Sequence, residues 1–457
     1  MLFDFIELDL KEKGKLYHTL YSKIKEAVEL GNIKSGEKLP SVREAASQLS
    51  VSRTTVENAY DRLCIEGIVE SLPQKGYYIT DYSKRKNSQE YTLNDFNSKI
   101  LYDFSGRYID TKLADAEVWK KTVRSVLQNT GELTSYGNAQ GEEALREALS
   151  WYSYKARGII SKPNDIMVGA GIGPLLNILC GIIDRKVKIG FENEGFKKSQ
   201  SVFNDYGIET VILESDESGA KLESIEKNNI DILFLTPSSL SKISVTALSR
   251  RRNEYEKWAM ESENRLIIED DYNGELRFFA RTVPAFQGKL PEKTVYIGSF
   301  SKLLLPSVRL AYMVLPISLV EKFKIKLEYI NQTCGKIEQL ALAEYIKSGN
   351  LEKHLRKLRR LYYEKSQLFL NQIRENFPKS DIKLFETSLS CVLSTGLNAS
   401  SESICDYLKT KGILVLPSLR CGTIKLSFSG IKAEEIETAV KLLKNEIINF
   451  WKNQEIV

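Results

Sequence analysis

Apolar residues near the start of the chain recur at the spacing of amphipathic helices. The first predicted helix stops near Gly31, and its core face is formed by Leu16, Leu20, Ile24, Ala27 and Leu30. A second helix follows Ser41, whose hydroxyl suits it to be an N-cap. A third begins at Ser52 after a short turn and ends before Gly67. Two helices joined by so short a turn indicate a helix-turn-helix.

Residues 68–79 predict two short strands joined by a turn that contains Lys75 and Gly76, which is typical of a β-hairpin wing. The first turn of the third helix contains Ser52, Arg53, Thr54 and Thr55. At such a position, side chains and free backbone N–H groups can meet phosphates and base edges. The pattern favours a DNA-binding module, and the alternative is a small helical module that only mediates assembly.

Beyond residue 100, short apolar runs alternate with helical stretches. The runs predicted to be strands begin at Ile166, Val187, Asp231, Arg265 and Thr294. This alternation indicates an α/β domain with a mainly parallel sheet. Ligand sites in such sheets form at the carboxyl ends of the strands, so polar residues at those ends are candidates for function.

The last of these strands opens the sequence VYIGSFSKLLLPSVRLAY, residues 295–312. Lys302 follows Ser299 and Ser301 within it, and Arg309 lies seven residues further on. A lysine among apolar neighbours and beside a second cation has a lowered pKa, so its neutral amine can form a Schiff base with an aldehyde. Arg309 could make a paired-donor contact to phosphate. These residues suit a phosphorylated carbonyl compound, whereas the alternative is an ordinary polar turn after a strand.

Other strand ends add further candidates. Gly171, Ile172 and Gly173 form a glycine turn that enters a helix and could hold a phosphate. Phe196 follows the strand at Val187, where its ring could stack on a flat ligand or simply belong to the core.

Three acidic residues, of which Asp270 is the second, leave the buried strand that begins at Arg265, and Tyr272 follows them. Buried acids need a cation, a metal or a protonated ring as compensation. The alternative is a solvated acidic turn.

Length, charge and cysteine content limit the possible domain number, DNA contacts and cellular compartment. A length of 457 residues predicts two or three domains. The net charge of +5 is too small for a chain that binds nucleic acid over its whole surface, so any DNA contact is local. Six cysteines without a C-x-x-C pair or nearby histidines argue against disulfides and metal sites, and they favour a reducing cytoplasm. The N-terminus lacks the pattern of a secretory signal.

The sequence KLPSVREAASQLSVSRTTVENAYDRLCIEG, residues 38–67, resembles the winged helix-turn-helix signature of the GntR family of bacterial transcription regulators. The resemblance implies operator DNA as a partner. It assigns DNA-facing positions to Ser41, Arg43, Ser52, Arg53, Thr54, Thr55 and Gly76, to which we add Lys75 at the predicted hairpin tip.

The order and spacing of acid, tyrosine, lysine and arginine resemble the aspartate-aminotransferase fold, called fold-type I, and its fusion to a GntR-type winged helix resembles the MocR branch of the GntR family. The resemblance implies pyridoxal 5'-phosphate as cofactor. Lys302 would form the Schiff base, Asp270 would contact the pyridine nitrogen, and Tyr272 the ring oxygen. Further implied cofactor contacts are Phe196 as the stacking ring, Arg309 at the phosphate, Ser299, Ser301, Gly171, Ile172, Gly173 and Tyr136.

The chain departs from this family's pattern in three places. The loop that usually reads TPSHQxPTG is TPSSLSKIS here, residues 236–244, and Lys425 stands where aminotransferases place an arginine that binds the substrate carboxylate. Gly173 and Pro174 replace a polar pair at the phosphate turn. We therefore expect Lys425 and Ser239 to face an effector, and at most a slow half-transamination.

The predicted architecture is α/β, with a winged helix-turn-helix domain at 12–80, a linker at 81–100 and an aminotransferase-like domain at 101–457. Within the last domain, residues 130–320 form the large subdomain and residues 321–457 most of the small one. The first hypothesis is a homodimeric regulator that senses pyridoxal phosphate, or an amine or amino acid that reacts with it. An active aminotransferase with an accessory winged helix is the second hypothesis, and a DNA-binding scaffold that only dimerises is the third.

Overall fold

The computed structural model describes residues 3, 16–81, 100–192, 197–216, 218–236, 245–272, 274–278, 284–385, 389–418 and 420–454, with the backbone alone at 245–248, 385 and 453–454. The chain divides into two compact units, Met1–Phe96 and Asn97–Val457. Within the ranges given above, no helix combines the length and the apolar character that crossing a bilayer requires.

The first unit is a three-helix module with a hairpin. Its elements are α1 (Leu16–Glu29), α2 (Val42–Gln48), α3 (Arg53–Ile65), β1 (Val69–Leu72) and β2 (Gly76–Ile79). Ser41 caps α2 by accepting a hydrogen bond from the backbone N–H of Glu44, and β1 pairs with β2 in antiparallel register. The predicted helices and hairpin are therefore confirmed.

One predicted core position of this unit is wrong. Leu30 is 69% exposed, because α1 ends one residue earlier and the chain then turns through Gly31 at φ +78°. The turn takes Leu30 off the helical face on which Leu20 and Ile24 are fully buried.

The second unit is built from fifteen strands and twelve helices in the described part of the chain. The strands are β3 (Tyr102–Asp103), β4 (Ile166–Gly169), β5 (Lys188–Phe191), β6 (Glu209–Ile212), β7 (Ser215–Asp216), β8 (Gly219–Ala220), β9 (Ile232–Leu235), β10 (Leu266–Asp271), β11 (Thr294–Ser299), β12 (Ala311–Val314), β13 (Ile382–Phe385), β14 (Ser390–Ser394), β15 (Ile413–Leu414), β16 (Leu416–Pro417) and β17 (Thr423–Ser427). The helices are α4 (Ala116–Gln128), α5 (Thr130–Leu133), α6 (Glu143–Arg157), α7 (Ile172–Cys180), α8 (Lys197–Asp205), α9 (Leu222–Lys227), α10 (Val245–Met260), α11 (Ile317–Leu327), α12 (Lys336–Lys347), α13 (Asn350–Asn376), α14 (Ser401–Thr410) and α15 (Ile436–Gln454).

Its main sheet has seven strands in the order β4-β12-β11-β10-β9-β5-β6. Only β12 runs against its neighbours, so the predicted mainly parallel sheet is confirmed. The five predicted strands become β4, β5, β9, β10 and β11. Strands β10 and β11 lie side by side, and their carboxyl ends carry Asp270 and lead to Lys302.

A smaller antiparallel sheet, ordered β13-β14-β17-β16, holds the C-terminal part of the unit. The short strand β3, near the start of the unit, pairs in parallel with β15. Residues that follow position 100 are thereby packed against the C-terminal part of the chain, close to the end of β17: the backbone N–H of Ser427 donates to the oxygen of Phe104 at 2.7 Å.

Candidate functional site

Lys302 lies in the turn that follows β11, where the backbone N–H groups of Leu303 and Leu304 both donate to the oxygen of Phe300. Its side chain is buried and lines a cavity of about 140 Å³. The other lining residues are Phe104, Ser105, Gly106, Tyr272, Ser390, Leu416, Lys425 and Ser427. The structure thus brings Lys302, Tyr272 and Lys425 together at one cavity.

The Lys302 amine has two hydrogen-bond acceptors. Its Nζ donates to the backbone oxygen of Gly106 at 2.7 Å and to Ser429 Oγ at 3.2 Å. Burial, and then the charge of Lys425, lower the pKa of Lys302 to about 8, although Asp103 acts in the opposite direction. A sizeable part of the amine is therefore neutral near physiological pH and able to attack a carbonyl group.

Lys425 lies on β17, between Val392 of β14 and Leu416 of β16. Burial lowers its pKa as well. Among the described residues, the lining of the cavity includes two amines and no carboxylate. A ligand with an anionic group and a carbonyl group matches this lining.

A second cluster surrounds Arg309, which follows the short helical turn Pro306–Val308. Arg309 Nη1 lies 3.3 Å from Ser301 Oγ, and Ser299 Oγ lies 3.2 Å from the same oxygen. Gly171 has φ +104°, and a Cβ built on it would lie 2.7 Å from Arg309 Nη2. The glycine therefore leaves the space that the guanidinium occupies, and this cluster adjoins Lys302 through the Ser301–Lys302 peptide.

Gly171 is also the N-cap of α7, without a side-chain cap. The first two helical residues, Ile172 and Gly173, direct backbone N–H groups out of the helix start, whereas Pro174 has none. A helix N-terminus, a guanidinium and two hydroxyls so arranged form a typical site for a phosphate group.

The three acidic residues at the end of β10 do not leave the strand as predicted. Glu269, Asp270 and Asp271 lie within it and are all buried, so the alternative of a solvated turn is also wrong. Asp271 pairs with the buried Arg157 and accepts a hydrogen bond from Tyr296 Oη at 2.8 Å. Glu269 and Asp271 share one face of the strand, where buried donors compensate them: the backbone N–H of Phe286 donates to Glu269 at 2.7 Å, and Arg157 and Tyr296 contact Asp271.

Asp270 points to the opposite face from Asp271, because side chains alternate along a strand. Within the described ranges, no hydrogen bond or ion pair reaches its carboxyl group. Burial, and then the charge of Asp271, raise the pKa of Asp270 to about 8. A buried carboxyl group without a partner is costly when ionised, so it suits a cationic ligand such as a protonated ring nitrogen.

Three predicted site residues are not observed beside the cavity in the described part of the chain. Tyr136 is fully exposed and does not line the cavity, and its role stays a prediction. Phe196 and Ser239 lie outside the described residues.

Sequence reasoning missed the residues that accept hydrogen bonds from Lys302. A signal was present, because the tripeptide Phe-Ser-Gly occurs twice, at 104–106 and at 428–430. Gly106 of the first copy and Ser429 of the second are the two acceptors.

In the first unit, the predicted DNA-facing side chains of Arg43, Arg53, Thr54 and Lys75 are exposed. Ser41 and Ser52 are exposed as well, but they also cap helices, since Ser52 Oγ accepts from the backbone N–H of the half-buried Thr55 at 3.1 Å. Gly76 has φ +103° at the start of β2.

Comparison with known families identifies both units. The family described as "Bacterial regulatory proteins, gntR family" matches residues 16–79, and the family "Aminotransferase class I and II" matches residues 105–443, more than half of the chain. The HTH-type transcriptional regulator YdeL of Bacillus subtilis is 33% identical over 94% of this chain and 96% of its own. The HTH-type pyridoxine biosynthesis transcriptional regulator PdxR of Corynebacterium glutamicum is 27% identical over 86% of each chain.

Among solved structures, an archaeal alanine:glyoxylate aminotransferase superposes with a TM-score of 0.69 at 20% identity, covering 76% of this chain and 91% of its own. This likeness establishes the fold of the second unit. The chain therefore belongs to the MocR branch of the GntR family of bacterial transcription regulators, in which a GntR helix-turn-helix domain precedes an aminotransferase class I and II domain.

Proposed function

We propose that this transcription regulator binds pyridoxal 5'-phosphate at Lys302, and that its affinity for operator DNA changes when the cofactor, or an amine or amino acid that reacts with it, occupies the site. The observation that carries the proposal is the pair of buried groups at neighbouring strand ends: a lysine amine with a lowered pKa and the carboxyl group of Asp270, to which the described residues offer no partner. An aldehyde and a basic ring nitrogen on one small molecule would satisfy both.

The residues have separate roles in this proposal. Lys302 holds the cofactor covalently, Asp270 keeps a proton on the ring nitrogen, and Tyr272 contacts the ring oxygen. Arg309 receives the phosphate group, together with Ser299, Ser301 and the backbone of Gly171, Ile172 and Gly173. Phe196 and Tyr136 complete the proposed contacts. When bound, the cofactor supplies an electrophilic carbon to which amines add.

Lys425 and Ser239 would meet the effector. A lysine is a point charge and lacks the planar fork of arginine, so it orients a carboxylate less strictly. This difference favours a sensor over an enzyme with rapid turnover. The name of PdxR connects a relative with pyridoxine biosynthesis, which supports a ligand of the vitamin B6 group. We further propose that the chain acts in the cytoplasm as a homodimer.

The test is the affinity for a DNA fragment that carries the promoter next to the gene, measured by fluorescence anisotropy with and without pyridoxal phosphate. Pyridoxine 5'-phosphate, which lacks the aldehyde, is the matched control ligand. We expect the aldehyde form to change the affinity of wild-type protein and to have no effect on Lys302→Ala. Equal responses of the two proteins, or equal effects of the two ligands, would contradict the proposal. Candidate amines and amino acids are then added to the loaded protein.

A further inference from the structure

A buried ion pair contacts the backbone of Ser429, whose side chain accepts a hydrogen bond from Lys302. Lys365 Nζ, on α13, lies 3.0 Å from Asp110 Oδ2, and the two side chains are 3% and 4% exposed. Burial lowers the pKa of Lys365, and Asp110 opposes this shift. The function proposed above makes no use of this pair.

The pair joins the two chain segments that supply the acceptors of Lys302. Asp110 lies four residues after Gly106, and its backbone N–H donates to the oxygen of Ser429 at 2.9 Å. Lys365 Nζ donates to the same oxygen at 3.3 Å. Ser429 is thus held through its backbone by both members of the pair, while its side chain meets Lys302.

The hydroxyl group of Ser429 has a defined orientation. Ser429 Oγ donates its single proton to the backbone oxygen of Tyr108 at 2.9 Å, so its oxygen is left to accept from Lys302. Tyr108 belongs to the same segment as Gly106 and Asp110. The distance between this segment and Ser429 therefore decides whether one amine can reach both acceptors.

We propose that Asp110 and Lys365 are positioning residues for the Lys302 amine, which hold Gly106 and Ser429 at the separation at which both accept from the same Nζ. The inference rests on the proposed role of Lys302 as the reactive amine, but its test requires no cofactor. It can therefore fail while cofactor binding holds, and the reverse is also true.

The full-length chain is treated with formaldehyde and cyanoborohydride from pH 6 to pH 9.5, and methylation of Lys302 is quantified by mass spectrometry of its peptide. The variants are Asp110→Asn, Lys365→Met and Lys365→Arg. Lys112→Met is the matched control, because the exposed pair of Lys112 with Glu434, at 2.8 Å, joins the same segment to the C-terminal part of the chain. Melting temperatures are recorded for every protein.

We expect wild type and Lys112→Met to share a midpoint near the pKa of Lys302. Asp110→Asn and Lys365→Met should let Gly106 and Ser429 move apart, so that the charged form of Lys302 loses a hydrogen-bond acceptor. The midpoint should therefore fall, and methylation at pH 7.5 should become faster by about twofold or more. Lys365→Arg should restore the wild-type profile, because it keeps a buried donor cation. If a variant melts at a lower temperature with an unchanged midpoint, the pair is merely structural and the proposal is overturned.

A single variant that leaves a buried charge unpaired can fail to fold. The double variant Asp110→Asn/Lys365→Met removes both charges. It replaces any single variant that does not fold, and its methylation midpoint is compared with that of wild type in the same way. A folded double variant with the wild-type midpoint would equally overturn the proposal.

Discussion

Lys302 Nζ donates a hydrogen bond to the backbone oxygen of Gly106 at 2.7 Å, across 196 residues of sequence. The segment that begins at residue 100 therefore forms one wall of the cavity around Lys302. Gly106 has φ +76°, and a Cβ on it would lie 2.9 Å from Ser427 Oγ and 3.5 Å from Lys302 Nζ. A side chain at this position would be strained and would crowd the amine, so the close approach depends on glycine.

The carboxyl group of Asp270 is buried without a partner in the described part of the chain, which predicts an unusual pH dependence of stability. Its pKa is about 8 in the folded chain, against an ordinary 3.8, so the folded chain holds an extra proton between these values. The free energy of unfolding contributed by this group therefore decreases as the pH rises from about 4 to about 8, and then levels off.

We expect Asp270→Asn to be more stable than wild type without cofactor, on the order of 3 kcal/mol at pH 7. The difference should increase from pH 5 to pH 8, because the variant has no group that must ionise there. Urea unfolding of both proteins at pH 5, 7 and 8 measures it. A difference that stays constant over this range would show that the carboxyl group has a partner.

The cluster of Arg309, Ser299 and Ser301 predicts that the protein discriminates between pyridoxal phosphate and pyridoxal. Loss of the guanidinium in Arg309→Met should weaken binding of the phosphorylated compound by roughly tenfold to a hundredfold, because a charge-assisted contact is lost. Affinity for pyridoxal should hardly change. Absorbance titrations with both compounds measure the ratio, and Arg309→Lys should give an intermediate value. Equal losses for the two compounds would place the phosphate elsewhere.

Much of this architecture is readable in the sequence, because local patterns determine it. Ser41 and Ser52 have the hydroxyls that cap helices, and both do so. The strand before Lys302 is an apolar run, and it becomes β11.

Other features depend on contacts between distant segments. The burial of Asp271 could not be predicted from the sequence. It depends on an ion pair with Arg157, which is 114 residues away in the chain. The positions of Gly106 and Ser429 beside Lys302 likewise depend on contacts between distant segments, such as the pairing of β3 with β15 and the hydrogen bond from Ser427 to Phe104. A repeated tripeptide hinted at these two residues, but periodicity alone does not bring its copies together.

The first turn of α3 predicts a salt-dependent contact to DNA. Arg53 is exposed there, and Arg53→Ala should lower the affinity for the operator and reduce the salt slope by about 1, because one phosphate contact is lost. Arg62→Ala, at the opposite end of α3 and 3.9 Å from Glu66, is the matched control. Anisotropy titrations over a salt series measure both. Equal slopes for the two variants would exclude Arg53 from the interface.

Covalent binding of pyridoxal phosphate by Lys302 underlies the proposed function. The most direct measurement is the visible absorbance of the purified protein after incubation with the cofactor, followed by borohydride reduction and peptide mapping. We predict a visible band for wild type, one reduced pyridoxyl phosphate group on the Lys302 peptide, and neither for Lys302→Ala. A colourless wild-type protein, or a label that falls on other lysines and persists in Lys302→Ala, would show that Lys302 does not bind the cofactor.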